Sequence, residues 1–206
     1  MAITNGYLTL AEAVAYTGAN DGRADAELED VVTSVSRLID NYCGRHFYQR
    51  TAEARTFEAD ESDCLEFGPF NDLVSITTLK TDENGDGTYE TTISSSNYLL
   101  EPVNAAILGR PYRELELLNG VTWPIPPASG RDYLIQITGT WGWPAVPPEV
   151  KQAARIMVAE VSKLADAPLG VAGYGEFGVF RVSSSIPARA RQLLEPLRHP
   201  DNFGIA

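Results

Sequence analysis

The chain has 206 residues, 44% of them apolar and 21% charged, which suffices for one well-filled core and excludes wholesale disorder. No apolar run approaches the length of a membrane span, and Met1-Ala2-Ile3-Thr4-Asn5 lacks the basic start of a signal peptide. The expectation is a soluble chain that stays where it is made, with no membrane partner. A net charge of −12 argues against a protein that grips nucleic acid, and two cysteines, Cys43 and Cys64, are too few for a disulfide framework and lack metal-ligand spacing.

Thr9-Leu10-Ala11-Glu12 is a capping box, so a short helix is predicted from there to about Thr17, ending at Gly18. Asn20-Asp21-Gly22-Arg23 reads as a turn. A longer helix is predicted from about Asp25 to Cys43, with Leu28, Val31, Val32, Val35, Leu38, Ile39, Tyr42 and Cys43 on one face at a period near 3.6. Asp25, Glu27, Glu29 and Asp30 suit its dipole, and Gly44 stands where a C-terminal cap belongs.

From Thr51 the pattern changes to short β-prone runs between Gly, Pro, Asn and Asp turns. They are Arg55–Phe57, Cys64–Phe67, Leu73–Lys80, Tyr98–Leu100, Glu114–Leu118 and Tyr133–Thr138. In the last, Leu134, Gln136 and Thr138 alternate with Tyr133, Ile135 and Ile137, the pattern of a half-buried strand. Between Thr51 and Glu101 twelve acids face only Arg55 and Lys80, a local net of −10. Acids that keep a surface soluble are the simplest account of this bias.

Pro147-Pro148-Glu149 opens a further helix, with Val150, Ala153, Ala154, Met157, Val158, Val161 and Leu164 on its buried face and Pro168 beyond its end. A glycine- and aromatic-rich stretch leads to the strand-like run Val179–Val182, and a last short helix begins near Pro187 and carries Leu193, Leu194 and Leu197. The predicted fold class is α+β: a small helical-bundle scaffold with a large antiparallel β insertion and an extended C-terminal arm. The segments are 1–50 for the N-terminal helices, 51–146 for the insertion, 147–167 for the scaffold helix and 168–206 for the arm, one structural domain overall.

Three strings suggest chemistry. Gly173-Tyr174-Gly175-Glu176-Phe177-Gly178 matches a dinucleotide fingerprint, but a helix precedes it and a strand-like run follows, the reverse of what phosphate binding needs. A hinge whose aromatics Tyr174, Phe177 and Phe180 dock on a neighbouring surface is the better account. Asp82-Glu83-Asn84-Gly85-Asp86-Gly87 resembles the start of a calcium loop, but its twelfth position is Ile93 and no helices flank it. A hairpin turn joining Thr78–Thr81 to Thr88–Thr91 is preferred. Trp141-Gly142-Trp143-Pro144 suggests an aromatic corner between sheet and helix, with core packing as the simpler role and subunit contact as the alternative. The two histidines, His46 and His199, have no local metal partners, and no hydrolase elbow, Walker loop or zinc signature occurs. No catalytic residue, cofactor or metal is expected, and a hydrolase with a dispersed acidic site is a remote alternative.

Taken in order, several strings resemble the head–tail connector (adaptor) family of tailed double-stranded-DNA bacteriophages. They are Tyr7-Leu8-Thr9-Leu10-Ala11-Glu12-Ala13, Ile39-Asp40-Asn41-Tyr42-Cys43-Gly44-Arg45-His46-Phe47, Thr138 to Pro147 with Glu149, Lys151, Gln152 and Ala153, and Ile186-Pro187 through Leu193-Leu194-Glu195-Pro196-Leu197-Arg198. The resemblance implies a virion structural protein made in the bacterial host cytoplasm. Such a protein forms a homo-oligomeric ring, usually twelvefold in the family, beneath the portal. It extends the DNA channel and offers a platform to the next neck or tail-completion protein. Its partners would be other copies of itself, the portal protein, that downstream protein and genomic DNA passing without sequence-specific binding. Interface candidates are Tyr42, Arg45, Phe47, Trp141, Trp143, Tyr174, Phe177, Phe180, Arg189, Arg191 and Arg198. Part of the acidic 51–101 stretch is expected to line the lumen or its mouth, and the segment from Leu169 to order only on docking. A stopper, a tail terminator or a generic β-sandwich binding module are the rival readings.

Overall fold

The computed structural model describes residues 2–18, 25–59, 61–126, 132–166, 171–173, 179–181 and 186–201, with side chains outside 164–185. The chain forms two compact units, Met1–Gly44 with Val146–Ala206, and Arg45–Ala145. Helices dominate the first and antiparallel sheets the second, so the class is α+β.

In the first unit α1 spans Leu10–Thr17 and α2 spans Asp25–Cys43; α3 is Pro148–Asp166 and α4 is Ala188–Leu194. The capping box forms as the sequence predicts: the Glu12 amide donates to Thr9 Oγ1 at 3.2 Å and the Thr9 amide to Glu12 Oε2 at 2.8 Å. Gly18 closes α1 in the left-handed region, its N–H donating to the Val14 carbonyl at 2.9 Å. Glu12 then reaches Lys151 and Arg155 of α3 at 3.8 and 3.6 Å, and these bonds hold its carboxyl below the usual range, the Thr9 backbone contact foremost.

Helix α3 packs against α1, α2 and α4. Val150, Ala153, Ala154, Met157 and Val158 are its buried residues, the two alanines allowing close approach. Val161, expected on that face, is exposed, and Leu164 lies outside the described side chains. On α2 the buried stripe is Leu28, Val32, Val35, Ser36, Ile39, Asp40 and Cys43, while Leu38 is 46% exposed. The stripe turns away from Leu38 because the N-terminal segment satisfies two polar groups on the other side. The Tyr7 amide donates to Ser36 Oγ at 3.0 Å, and its hydroxyl donates to the Asp40 carboxylate, which also pairs with Arg37 at 3.2 Å.

Within the expected C-terminal arm, the short helix forms as α4, and 186–201 packs on the helical unit. Ala190 and Leu194 are fully buried, Glu195–Leu197 forms a 3-10 turn, and the His199 amide donates to the Cys43 carbonyl at 2.8 Å. An apolar pair at i and i+4 on a short helix has more to gain from burial than from extension into water. The strands β8 (Val171–Gly173) and β9 (Val179–Arg181) pair antiparallel.

The second unit is a pair of sheets. β1 (Arg50–Phe57), β7 (Ile135–Trp141), β3 (Leu73–Thr81) and β4 (Thr91–Thr92) lie side by side in that order, and β2 (Cys64–Glu66), β6 (Glu114–Leu117) and β5 (Tyr98–Glu101) form the smaller sheet. One apolar cluster joins them: Phe57, Leu73, Leu79, Ile135, Ile137 and Trp141 from the larger sheet, and Leu65, Leu115 and Leu117 from the smaller. The predicted alternation holds for Ile135, Gln136, Ile137 and Thr138 but not before them. Leu134 is buried and Tyr133 exposed, because the strand begins only at Ile135.

Candidate interaction surfaces

Four of the residues singled out in sequence, Arg45, Phe47, Trp141 and Trp143, face inward within the second unit. The Arg45 guanidinium, on a residue only 5% exposed, forms an ion pair with Asp72. Trp143 Nε1 donates to the second Asp72 oxygen at 3.1 Å, the Gly142 amide donates to the Asp72 main-chain oxygen at 2.8 Å, and Phe47 packs on Trp143 with ring centres 5.1 Å apart. Trp141 lies against Phe57 and Phe67, with the Arg55 guanidinium 4.5 Å over its ring and its Nε1 donating to the Glu53 carbonyl at 2.9 Å. Burial pulls Arg55 below the usual arginine range while Glu53 acts against that shift. Within the chain these four residues pack in the core of the second unit.

The glycines between them are required. Gly142 has φ +102°, and a Cβ there would lie 2.0 Å from the Tyr48 carbonyl oxygen; one at Gly139 would lie 2.2 Å from that of Ser75. The Trp-Gly-Trp string is thus a corner in which two rings flank the one residue that lets two backbones touch.

The other candidates lie in the helical unit or beyond the described side chains. Tyr42, half-buried at the end of α2, donates to Glu195 at 2.6 Å, with Arg198 5.2 Å over its ring and paired to Glu195 at 3.1 Å. Burial first, and the bond to Glu195 second, push the phenol up to about 12. Arg189 and Arg191 are exposed on α4. Tyr174 and Phe177 fall outside the described residues, with the rest of the fingerprint after Gly173, and the Phe180 side chain does as well.

The Asp82–Gly87 string is a loop organised around its own aspartate. Asp82 is buried, and its carboxylate accepts from the amides of Asn84, Gly85 and Gly87 at 3.2, 2.7 and 2.7 Å. Ile93, at the position where a calcium loop needs glutamate, belongs to the apolar core. The hairpin is wider than predicted, since pairing starts only at Thr81 with Thr91. Among the described residues no group of three His, Cys, Asp or Glu is placed to hold a metal ion, and no helix is long and apolar enough to cross a membrane.

Both cysteines are free thiols. Cys64 is half-buried and donates to Glu114 at 3.0 Å; desolvation, that bond and the nearby Glu61 and Glu66 raise its thiol to about 12. At pH 8 almost none of it is thiolate, the nucleophilic form. Iodoacetamide is expected to label native Cys64 at least tenfold more slowly than free glutathione, and Glu114→Gln to speed labelling; a fast wild-type reaction would contradict this geometry.

No family model matches the sequence, and no curated protein matches it. Solved structures do. The chain is similar to one in the neck of an empty GTA particle, computed with C6 symmetry, with a TM-score of 0.60 and 20% identity over 96% of this chain and 92% of that one. It is also similar to one in the neck of a native GTA particle, computed with C12 symmetry, with a TM-score of 0.51 and 19% identity over the same shares. At such identities the likeness is one of fold, and it extends through both units.

Proposed function

We propose that this chain is a structural protein of a virion neck, a head-to-tail adaptor whose copies close into a ring beneath the portal. The observation that carries this reading is the fold shared, nearly end to end, with chains of particle necks whose structures have sixfold and twelvefold symmetry. The order of the connector-like strings along the sequence supports it independently. In this reading the ring, of twelve copies, extends the DNA channel and offers a platform to the next neck or tail-completion protein. Part of the exposed acids of 51–101 faces the lumen or its mouth, where like charge lets phosphates pass without sticking. Asp72 and Asp82 are excluded from that role because both are buried. Assembly of this kind needs complementary flanks and no catalytic group.

Electron microscopy of the purified chain mixed with its cognate portal tests the proposal. The expected result is a closed annulus coaxial with the portal. A chain that stays solitary with the portal present would overturn it.

A further inference from the structure

The smaller sheet carries an outward acidic face that no ion pair among the described residues neutralises. Its strands alternate: Cys64-Leu65-Glu66, Leu99-Leu100-Glu101, Glu114-Leu115-Glu116. The register sets Leu65, Leu115 and Leu100 in one row, on the core side. The rows on either side of it share the opposite face: Cys64, Glu116 and Leu99 in one, and Glu66, Glu114 and Glu101 in the other. Three glutamates directly opposed across three strands is an arrangement that isolated sheets disfavour. The Glu101 carboxylate accepts from the Val103 amide at 3.0 Å and that of Glu114 from the Cys64 thiol, but among the described residues no ion pair forms with Glu66, Glu101, Glu114 or Glu116. Among the described residues Arg110 and Arg113, in the segment returning to β6, form none either.

A second feature adjoins the first. The loop after Glu101 exposes Val103, Ile107 and Leu108 at 56, 85 and 68%. It starts at the Glu101 carboxylate itself, so an apolar tip borders the acidic row. Exposed apolar groups grouped in this way mark contact surfaces.

The same chain carries the complement. On α4, Ala190 and Leu194 face the helical core, while Arg189 and Arg191 are exposed. Arg189 donates to Gln192 at 3.3 Å, and among the described residues neither arginine is in an ion pair. Arg189 and Arg191 are two residues apart and leave α4 on its two flanks, so a helix laid across the carboxylate row can reach both ends of that row, each arginine binding a carboxylate through paired N–H donors.

We propose that the outward face of the smaller sheet is the seat for α4 of the adjacent copy. Arg189 and Arg191 of one copy face the row Glu66, Glu114 and Glu101 of the next, and the Val103, Ile107 and Leu108 tip closes the end of the contact. The interface is head-to-tail, using two different patches of one chain, which is the geometry that generates rings. Like charge along the row disfavours other arrangements and steers this one. The inference rests on the ring proposed above and specifies which surfaces build it.

The test is charge reversal in the full-length chain, with ring formation on the cognate portal read by mass photometry and electron microscopy. E66K/E114K and R189E/R191E are each expected to lower ring yield at least tenfold, and their combination to restore most of it. Circular-dichroism melting of each variant alone confirms that the fold survives. Independently, C64S/E116C/R191C with a short bismaleimide should give a ladder of linked oligomers only where rings form. Rings that persist in both reversed variants, no recovery in the combination, or rings without a ladder would overturn the inference. So would rings that form normally but lose a downstream neck protein in E66K/E114K, because the face would then belong to that partner. A wild-type chain that makes no ring would overturn the adaptor reading itself, which separates the two failures.

Discussion

Asp72→Ala is expected to destabilise the protein by about 3–5 kcal/mol, the range for breaking a buried ion pair by removing one partner. The loss would come from what is left behind. The Arg45 guanidinium stays in the interior, its Nε already without a hydrogen-bond partner, and Trp143 Nε1–H loses its acceptor. A contrast variant isolates that cause. Arg45→Met with Asp72→Leu removes both charges, and so removes the cost of desolvating either; it should lose much less than the single change. Urea unfolding followed by tryptophan fluorescence measures both. If the double variant is as unstable as Asp72→Ala, the clasp acts through shape and not through charge.

Trp141→Ala is expected to cost a similar amount, about 3–5 kcal/mol, for a different reason. Trp141 is fully buried where both sheets meet: Phe57 and Phe67 lie 5.6 and 5.8 Å from it, and Arg55 covers its remaining face. Deleting the indole opens a void that the flanking close approach at Gly142 prevents from collapsing. Trp141→Phe keeps most of the packing and loses one hydrogen bond to the Glu53 carbonyl, so about 1–3 kcal/mol is expected, the cost of one buried unsatisfied acceptor. Equal losses in the two variants would show that the hydrogen bond, not the packing, dominates.

Local signals made the helices legible. Thr9 and Glu12 satisfy each other within one turn, Gly18 and Gly44 take the left-handed conformation at the ends of α1 and α2, and α2 runs from Asp25 to Cys43 as its apolar period predicts. The strand positions were legible in the same way, from alternation between turns, with ends shifted by a few residues. What the sequence could not reveal is set by pairing between distant segments. Nothing near Asp72 announces Arg45 or Trp143 as its partners; their meeting depends on how the ends of β3 and β7 are aligned. Arg45, Phe47, Trp141 and Trp143 stand out in the sequence, but the contacts they make in the fold do not. Arg45 and Trp143 turn inward onto a buried carboxylate that only the fold supplies. The opposed glutamates of the smaller sheet were hidden for the same reason: alternation puts each on the outer side of its own strand, but only the order β2, β6, β5 sets them in one row.

The helical unit is discontinuous in sequence, with its first 44 residues separated from the rest by the whole of Arg45–Ala145. Helix α3, which touches each of the other three helices, belongs to the later part. During synthesis the ribosome therefore releases α1 and α2 well before their packing partner exists, whereas Arg45–Ala145 emerges as one uninterrupted stretch able to fold at once. The apolar stripe of α2 must wait, exposed, for about a hundred residues to be translated. Nascent chains stalled once Ala145 has cleared the ribosome, with α3 not yet released, would hold a complete sheet unit and two helices that lack α3, and this is the stage at which a chaperone has the most to protect.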